Sequence, residues 1–191
     1  MKKLTVLVDM DDTVEGLLDA WIDWLNAKYG CSVVREDITC WDMRRAFPSV
    51  DPDAVYAPLE EAAFWDTVRP IPGAAEVLQK WIARGHEVYI VTATPYKDIR
   101  PKVENCLFKL FPFLSWENVI VIGRKQLLRG DVLIDDGLHN LEGGAYEKIL
   151  VTAPYNRPYP ALENGMLRVS GWDEIEKAVE KLENGLGSVL A

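Results

Sequence analysis

The sequence predicts an α/β fold with a parallel β-sheet and a helical segment inserted after its first strand. Five short apolar runs, rich in β-branched residues, have the composition of strands that are buried on both faces. Segments whose apolar residues recur with helical spacing lie between several of these runs. Strands that alternate with helices favour parallel pairing through right-handed crossovers. The five predicted strands are Leu4–Val8, Glu87–Val91, Asn118–Ile122, Asp131–Ile134 and Lys148–Val151.

The chain between the first and second strands departs from this alternation, because residues 14–68 contain no convincing strand. Asp53–Ala63 has the pattern of a helix, with Pro58 marking a kink or a start. A parallel crossover needs only about a dozen residues, so this stretch has more than a crossover requires. We predict a helical cap over residues 14–68 and a core domain made of residues 1–13 and 69–191. An apolar stripe with helical spacing opens the cap and consists of Leu17, Leu18, Trp21, Trp24 and Leu25.

Three further helices are predicted in the core domain. Ala74–Ala83 follows Pro72-Gly73 and has an apolar stripe, and Pro101–Phe111 begins with a proline, which suits the first turn of a helix. Asp173–Leu182 has the same helical spacing of apolar residues. These helices would cover the faces of the sheet.

The composition indicates a folded, soluble protein with an acidic surface. Hydrophobic residues make up 49% of the chain and charged residues 27%, and the net charge is −9 with a pI of about 4.8. Long nucleic acids and anionic membranes bind basic surfaces, so neither is expected as a partner. The same charge would repel an anionic small molecule unless a cation lay between them.

The cysteines and the apolar stretches predict a cytoplasmic protein. The three cysteines, Cys31, Cys40 and Cys106, contain no CxxC pair and form an odd set, as expected for a reducing compartment. The apolar run that follows Lys3 ends at Asp9, which is too short for a signal peptide, and no stretch is long enough to span a membrane. The sequence leaves the oligomeric state open, with a homodimer among the alternatives.

Polar and charged side chains follow four of the predicted strands. Ligands of an open parallel sheet bind beyond the carboxyl ends of its strands, so these side chains should converge on one edge. Clustered carboxylates repel one another, and a hard divalent cation such as Mg²⁺ would offset this repulsion. The residues are Asp9 and Asp11 after the first strand, Thr92 and Thr94 after the second, Arg124 and Lys125 after the third, and Asp135 and Asp136 after the fourth.

Such an edge would contain the groups that phosphoryl transfer requires. Bound Mg²⁺ would bridge to a phosphoryl group and neutralise its charge. One strand-end aspartate could act as a nucleophile and form an aspartyl-phosphate, and a second one two residues later could protonate the leaving oxygen and then activate water. Lys125 would contact a phosphate oxygen as a point charge, and Thr92 would donate its hydroxyl beside backbone N–H groups.

These residues resemble the four ordered motifs of the haloacid dehalogenase (HAD) superfamily. Asp9-x-Asp11-Asp12-Thr13 resembles the first motif, and Thr92, Lys125 and Asp135-Asp136 resemble the other three. The resemblance implies a three-layer, Rossmann-like, HAD-like core with a small helical cap after the first strand. Further motifs are similar to those of the 5′(3′)-deoxyribonucleotidase family: Phe64-Trp65, Arg69-Pro70-Ile71-Pro72-Gly73-Ala74, Thr92-Ala93-Thr94-Pro95 and Asp131-Val132-Leu133-Ile134-Asp135-Asp136.

The resemblance implies Mg²⁺-dependent hydrolysis of nucleoside monophosphates and assigns the catalytic residues. Asp9 would be the nucleophile, and Asp11 would be the general acid/base. The metal would be held by the Asp9 carboxylate, the main-chain carbonyl of Asp11 and a carboxylate of the Asp135-Asp136 pair. Within this pair, the family alignment favours Asp136 as the direct ligand.

The resemblance also assigns the substrate contacts. Thr92, the N–H of Ala93 and Lys125 would contact the phosphate, and the aromatic residues Phe64 and Trp65 would line the base pocket of the cap. The chain departs from many family members in two places. It has Asp12-Thr13 where they have Gly-Val, and it has Ala93 where they have serine.

Two alternative functions stay open. A HAD phosphatase for another small phosphoester, such as a sugar phosphate or phosphoglycolate, would share the core motifs, because the cap determines the substrate. A non-catalytic nucleotide-binding module is the other alternative, although every catalytic position is occupied. We interpret Trp21 and Trp24 as packing residues, and we assign no role to His139 or to the loop Tyr155–Pro160.

Overall fold

The computed structural model describes residues 2–190, which form a six-stranded sheet. Its strands are β1 (Thr5–Asp9), β2 (Glu87–Thr92), β3 (Val119–Val121), β4 (Val132–Asp135), β5 (Glu147–Val151) and β6 (Leu167–Val169). All neighbouring strands pair in parallel, in the spatial order β3-β2-β1-β4-β5-β6. The predicted α/β class with a parallel sheet is confirmed.

Helices lie between the strands and in the long connection from β1 to β2. In the described part of the chain, no helix has the length and apolarity that crossing a membrane requires. A π-helical segment covers Pro101–Leu107. The α-helices are α1 (Leu17–Tyr29), α2 (Pro52–Tyr56), α3 (Ala62–Trp65), α4 (Ala74–Ala83), α5 (Phe108–Leu110), α6 (Leu138–Leu141) and α7 (Trp172–Glu183).

The sequence predicts five of the six strands and misses β6. This strand has only three residues, and Arg168 lies in its centre. A polar residue in so short a run leaves no apolar pattern that would indicate a strand. The structure thus adds an edge strand beside β5.

The predicted helix Asp53–Ala63 is not continuous. Asp51 caps α2 by accepting hydrogen bonds from the N–H groups of Asp53 and Ala54, at 3.0 and 3.3 Å. The chain then forms a 3₁₀ turn at Ala57–Glu60, and α3 follows as a separate helix. Pro58 lies in this turn, where it cannot donate the hydrogen bond that an α-helix would need.

The predicted helix Pro101–Phe111 is helical but winds in two ways. Its first seven residues form π-helical turns, and α5 continues from them. Apolar spacing in the sequence does not distinguish π-helical from α-helical winding over so short a segment. Segments of this kind often occur at functional sites, and Lys102 of this segment reaches the site described below.

The inserted helices and the sheet share one hydrophobic core. Trp21 of α1 and Phe64 of α3 belong to the same buried cluster as Val8 of β1. The two chain crossings between the insertion and the sheet run side by side, because Gly16 N donates to Arg69 O and Ile71 N donates to Val14 O, each at 2.9 Å. The predicted cap boundaries at residues 14 and 68 therefore fall beside these paired crossings.

The strand register places the carboxyl ends of three central strands together. Asp9 at the end of β1 pairs with Val91 of β2. On the other side, Val8 of β1 pairs with Ile134 of β4. Residues that follow β1, β2 and β4 consequently meet at the middle of one sheet edge.

Candidate active site

Three buried carboxylates lie together at this edge. Asp9 is the last residue of β1, Asp135 is the last residue of β4, and Asp136 follows it. One oxygen from each lies within 4.8 Å of the other two. The three residues are almost inaccessible to solvent, with relative exposures of 5, 0 and 1%. The predicted convergence of these aspartates is thus observed in the structure.

Lys125 bridges two of the three carboxylates. It lies in a 3₁₀ turn after β3 and is 1% exposed. Its Nζ donates to Oδ1 of Asp9 and, at 2.7 Å, to Oδ2 of Asp135. Burial alone would lower the pKa of Lys125, but the two carboxylates outweigh burial and raise it. Lys125 therefore stays charged beside Asp9.

Asp135 and Asp136 have different hydrogen-bond partners. Oδ1 of Asp135 accepts from Gly137 N at 2.7 Å and from Asn140 Nδ2 at 3.0 Å, while its Oδ2 accepts from Lys125. Oδ2 of Asp136 accepts from the hydroxyl of Tyr155, but its Oδ1 is buried and has no hydrogen-bond partner among the described residues. Asp136 thus has one carboxylate oxygen without a hydrogen-bond partner within residues 2–190, whereas both oxygens of Asp135 accept hydrogen bonds.

The carboxylates of the site carry more negative charge than the neighbouring side chains of this protein neutralise. Burial raises the pKa of Asp9 to about 7, with Asp135 adding to this effect and Lys125 opposing it. Burial, followed by the charges of Asp9 and Asp135, also raises the pKa of Asp136 well above its usual range. Buried oxygen donors that repel one another, one of them unpartnered, fit a hard divalent cation.

Asp11 lies two residues beyond the end of β1 and lines a cavity. Its Oδ2 accepts a hydrogen bond from Nζ of Lys102, and its Oδ1 is buried without a partner among the described residues. The sequence predicts Asp11 as a site residue but does not predict Lys102. Lys102 follows no strand, so the rule of searching strand ends does not find it.

Asp12 connects the strand end to the inserted helices. Its φ of 51° lies in the left-handed region, which favours glycine. Both carboxylate oxygens accept from Leu18 N in the first turn of α1, at 3.3 and 3.2 Å, and Arg35 lies 3.5 Å away. Burial raises the pKa of Asp12 to about 7, although Arg35 opposes this shift. The Asp12 carboxylate thus caps the first turn of α1.

Thr92 and Ala93 lie at the end of β2, as predicted. Thr92 is fully buried, and its Oγ1 has no hydrogen-bond partner among the described residues. Ala93 lines the same cavity as Asp11. An unpaired buried hydroxyl is costly, so a phosphate oxygen at this position would satisfy it.

The cavity has a volume of about 390 Å³ and lies between the sheet edge and the inserted helices. Trp65, one of the two aromatic residues for which the resemblance implies contact with the base, lines this cavity. Phe64 is fully buried outside the lining, where its ring meets Trp65 and Trp24 with centroid distances of 5.4 and 5.7 Å. The insertion also contributes lining residues that the sequence does not identify, including Trp21, Ile38, Trp41, Met43 and Tyr56.

The loop that follows β5 also belongs to the site. The hydroxyl of Tyr155 donates to Asp136, and Nδ2 of Asn156 donates to the main-chain oxygen of Asp136 at 2.9 Å. The ring of Trp41, from the insertion, meets Tyr155 edge-on with a centroid distance of 5.2 Å. The sequence motifs give this loop no role, although it follows the carboxyl end of β5, where the strand-end rule places ligand-binding residues.

Solved structures of other proteins share the fold of this chain. A HAD-family hydrolase from Deinococcus radiodurans R1, solved with bound phosphate and sodium, has a TM-score of 0.62 at 17% identity, and 95% of this chain and 96% of that chain are covered. A haloacid dehalogenase-like protein from Streptococcus pneumoniae has a TM-score of 0.61 at 11% identity, with coverages of 92% and 98%. These similarities establish a HAD-like fold, and one edge of its sheet carries the cluster of Asp9, Asp135 and Asp136.

The family model for "5′ nucleotidase, deoxy (Pyrimidine), cytosolic type C protein" matches residues 2–183, and the chain belongs to this family. It is 36% identical over 179 residues to a 5′(3′)-deoxyribonucleotidase from Bacillus subtilis strain 168, with 93% of this chain and 98% of the relative covered. A 5′(3′)-deoxyribonucleotidase from Clostridium acetobutylicum is 32% identical over 186 residues, with coverages of 97% and 100%. The predicted phosphatase of the nucleotidase type is confirmed.

Proposed function

We propose that this protein is a Mg²⁺-dependent 5′(3′)-deoxyribonucleotidase that hydrolyses (deoxy)nucleoside monophosphates through an aspartyl-phosphate on Asp9. The observation that carries the proposal is the buried cluster of Asp9, Asp135 and Asp136, with Lys125 bridging two of them. An aromatic cavity lies beside this cluster. The names of the relatives support the same substrate class.

We assign the metal to the Asp9 carboxylate, the main-chain carbonyl of Asp11 and the unpartnered Oδ1 of Asp136. Asp135 lies in the same cluster, but its oxygens already accept from protein donors, so we assign it to holding Lys125 and the following loop. When bound, Mg²⁺ would neutralise the carboxylates and the charge on the phosphoryl group.

In the first step, a carboxylate oxygen of Asp9 attacks phosphorus and forms the aspartyl-phosphate. The bond from phosphorus to the nucleoside oxygen breaks, and its electron pair goes to that oxygen. Asp11 donates a proton to the same oxygen, so the nucleoside leaves as a neutral alcohol. Lys125, the hydroxyl of Thr92 and the N–H of Ala93 hold the phosphoryl oxygens.

In the second step, water attacks the phosphorus of the aspartyl-phosphate. Asp11, now deprotonated, accepts a proton from this water, and the bond between phosphorus and the Asp9 oxygen breaks. Asp9 regains its carboxylate, and inorganic phosphate is released. The same two aspartates thereby act in both half-reactions.

The cavity provides room and surface for the nucleoside. Its volume of about 390 Å³ lies within the usual range for small-molecule sites. We assign Trp65 to contact with the base, and we assign Phe64 to supporting Trp65 from the buried side. The insertion over residues 14–68 would then act as a cap, which covers the site on the core domain formed by residues 1–13 and 69–191.

A cytoplasmic location is part of the proposal. Cys31, Cys40 and Cys106 are all free thiols, as expected for a reducing compartment. Nucleoside monophosphates are small, so the acidic chain needs no extended basic surface to bind them. The metal would offset the repulsion between the carboxylates and the phosphate.

A panel of phosphomonoesters tests the proposed substrate class. We expect phosphate release, in the presence of Mg²⁺, from dUMP, from dTMP and from the corresponding 3′-monophosphates. Activity on a sugar phosphate or phosphoglycolate, with none on nucleotides, would instead select another HAD phosphatase. Nucleotide binding without turnover by the folded, Mg²⁺-loaded protein would contradict the enzymatic proposal.

A further inference from the structure

Lys102 is a buried cation that the proposed mechanism does not use. It lies in the π-helical segment Pro101–Leu107 and is 3% exposed. Its Nζ donates to Oδ2 of Asp11 and lies 5.6 Å from the ring centroid of Trp65. One side chain therefore contacts both the proposed general acid/base and a wall of the cavity.

The surroundings of Lys102 indicate that its ammonium is fixed in place. Burying a charge is costly unless an opposite charge lies beside it, and Asp11 provides that charge when it is deprotonated, the state in which it accepts a proton in the second step. Glu15 is also buried and lies close enough to interact electrostatically with Lys102 and Asp11. The face of Trp65 adds a cation–π contact. These contacts leave the ammonium little freedom to move.

We propose that Lys102 is a positioning residue: by donating to Oδ2 of Asp11, it holds the carboxyl group so that the other oxygen, Oδ1, carries the proton that goes to the leaving oxygen. The inference rests on the proposed function, in which Asp11 is the general acid/base. Lys125, which contacts Asp9, is the cation placed beside the nucleophile. Loss of Lys102 should therefore impair departure of the leaving group more than binding of the phosphate.

The test compares two leaving groups. A nucleoside needs a proton in order to leave, whereas p-nitrophenolate leaves readily without one, so only the nucleotide depends strongly on general acid catalysis. The quantity to measure is kcat/KM, because it reports the steps up to departure of the leaving group. Wild type and Lys102→Met should be assayed with dUMP and with p-nitrophenyl phosphate. Methionine is close in shape and can still pack against Trp65.

We expect Lys102→Met to lower kcat/KM for dUMP about tenfold or more beyond its effect on p-nitrophenyl phosphate. Asp11→Asn should show the same asymmetry in a stronger form. Lys102→Arg keeps the charge and should recover part of the loss on dUMP. Lys109→Gln is the matched control, because Lys109 is an exposed lysine on α5 that pairs with Asp66, and it should leave both substrates unaffected.

Several outcomes would overturn the positioning role. Equal losses on both substrates, with weaker inhibition by inorganic phosphate, would show that Lys102 binds phosphate. Equal losses of kcat/KM on both substrates, accompanied only by a lower melting temperature of the variant, would show that Lys102 has a structural role. If Lys102→Met does not fold, Lys102→Arg carries the test, since displacement of its charge should still produce the asymmetry in weaker form, and its absence would contradict the proposal.

The same assays distinguish a failure of the proposed function from a failure of the role proposed for Lys102. If the wild type hydrolyses no nucleotide, the nucleotidase proposal fails, and the comparison is made between p-nitrophenyl phosphate and any alkyl phosphate that the enzyme does hydrolyse. If no phosphomonoester is hydrolysed at all, both proposals fail.

Discussion

At the scale of single residues, two adjacent aspartates have the same chemistry but different surroundings. Asp135 is fully engaged by Lys125, Gly137 and Asn140, whereas Asp136 keeps an unpartnered oxygen. Sequence motifs predict that both belong to the site. The family resemblance favours Asp136 as the metal ligand, but the motifs alone do not separate the two roles, because these depend on the direction in which each side chain leaves the end of β4.

Replacing each of these aspartates by asparagine should separate the two roles. Asp136→Asn should abolish stabilisation by Mg²⁺ without destabilising the metal-free fold, because it removes a buried carboxylate that Asp9 repels. Asp135→Asn should lower the free energy of unfolding by about 3 kcal/mol, because it breaks the buried pair with Lys125. Urea unfolding with and without Mg²⁺ measures both effects. Loss of the Mg²⁺ effect in Asp135→Asn alone would reverse the assignment.

At the scale of secondary-structure elements, the sequence correctly predicts the helices and strands whose apolar pattern is long and uninterrupted. The predicted helix Ala74–Ala83 matches α4 at both ends. By contrast, Pro58 divides the predicted helix Asp53–Ala63, and β6 is too short to show a pattern. The π-helical winding after Pro101 depends on hydrogen-bond register, which apolar spacing does not report. Local patterns thus predict the existence of a helix or strand more reliably than they predict its winding or its ends.

The connection from β1 to α1 gives a prediction about backbone conformation. Asp12 has a positive φ and caps α1 through Leu18 N. Asp12→Gly loses the cap but suits this conformation, whereas Asp12→Ala loses the cap and adds strain of about 1 kcal/mol. We therefore expect alanine to lower the free energy of unfolding by about 1 kcal/mol more than glycine, as measured in urea. An alanine variant as stable as the glycine variant would contradict the role of this φ angle.

At the scale of the whole molecule, stability should depend on pH through His86. Its Nδ1 accepts from Leu4 N at 3.0 Å, and its Nε2 lies 3.3 Å from a carboxylate oxygen of Glu183 on α7. Burial lowers the pKa of His86 below its usual value of 6.5, although Glu183 opposes this. The folded state thus favours the neutral imidazole. The resulting stabilisation is complete above pH 6.5 and is lost as the pH falls below it.

The variant His86→Gln isolates this effect from the other titrating groups. We expect the free energy of unfolding of the wild type, minus that of the variant, to decrease as the pH is lowered from about 7.5 to 5. Urea unfolding at a series of pH values measures this difference. A difference that is constant or increases on acidification would contradict the predicted direction of the shift.

Apart from Trp65, which the family resemblance indicates, the site residues that the sequence predicts correctly are those that follow strands of the sheet. Asp9, Thr92, Lys125 and Asp135 all lie near the carboxyl ends of strands, so a single topological rule finds them. Lys102 and the cavity residues of the insertion come from segments whose positions depend on tertiary packing. Part of the net charge of −9 lies in these buried carboxylates, which would bind a cation in the proposed function.

The central claim is that Asp9 and a divalent metal together perform phosphomonoester hydrolysis. The most direct test is release of inorganic phosphate from dUMP by the wild type and by Asp9→Asn, each with excess Mg²⁺ and after treatment with EDTA. We predict turnover by the wild type with Mg²⁺, and a loss of about 10³-fold or more in the other three conditions. Full activity in EDTA, or in the Asp9→Asn variant with Mg²⁺, would contradict this claim.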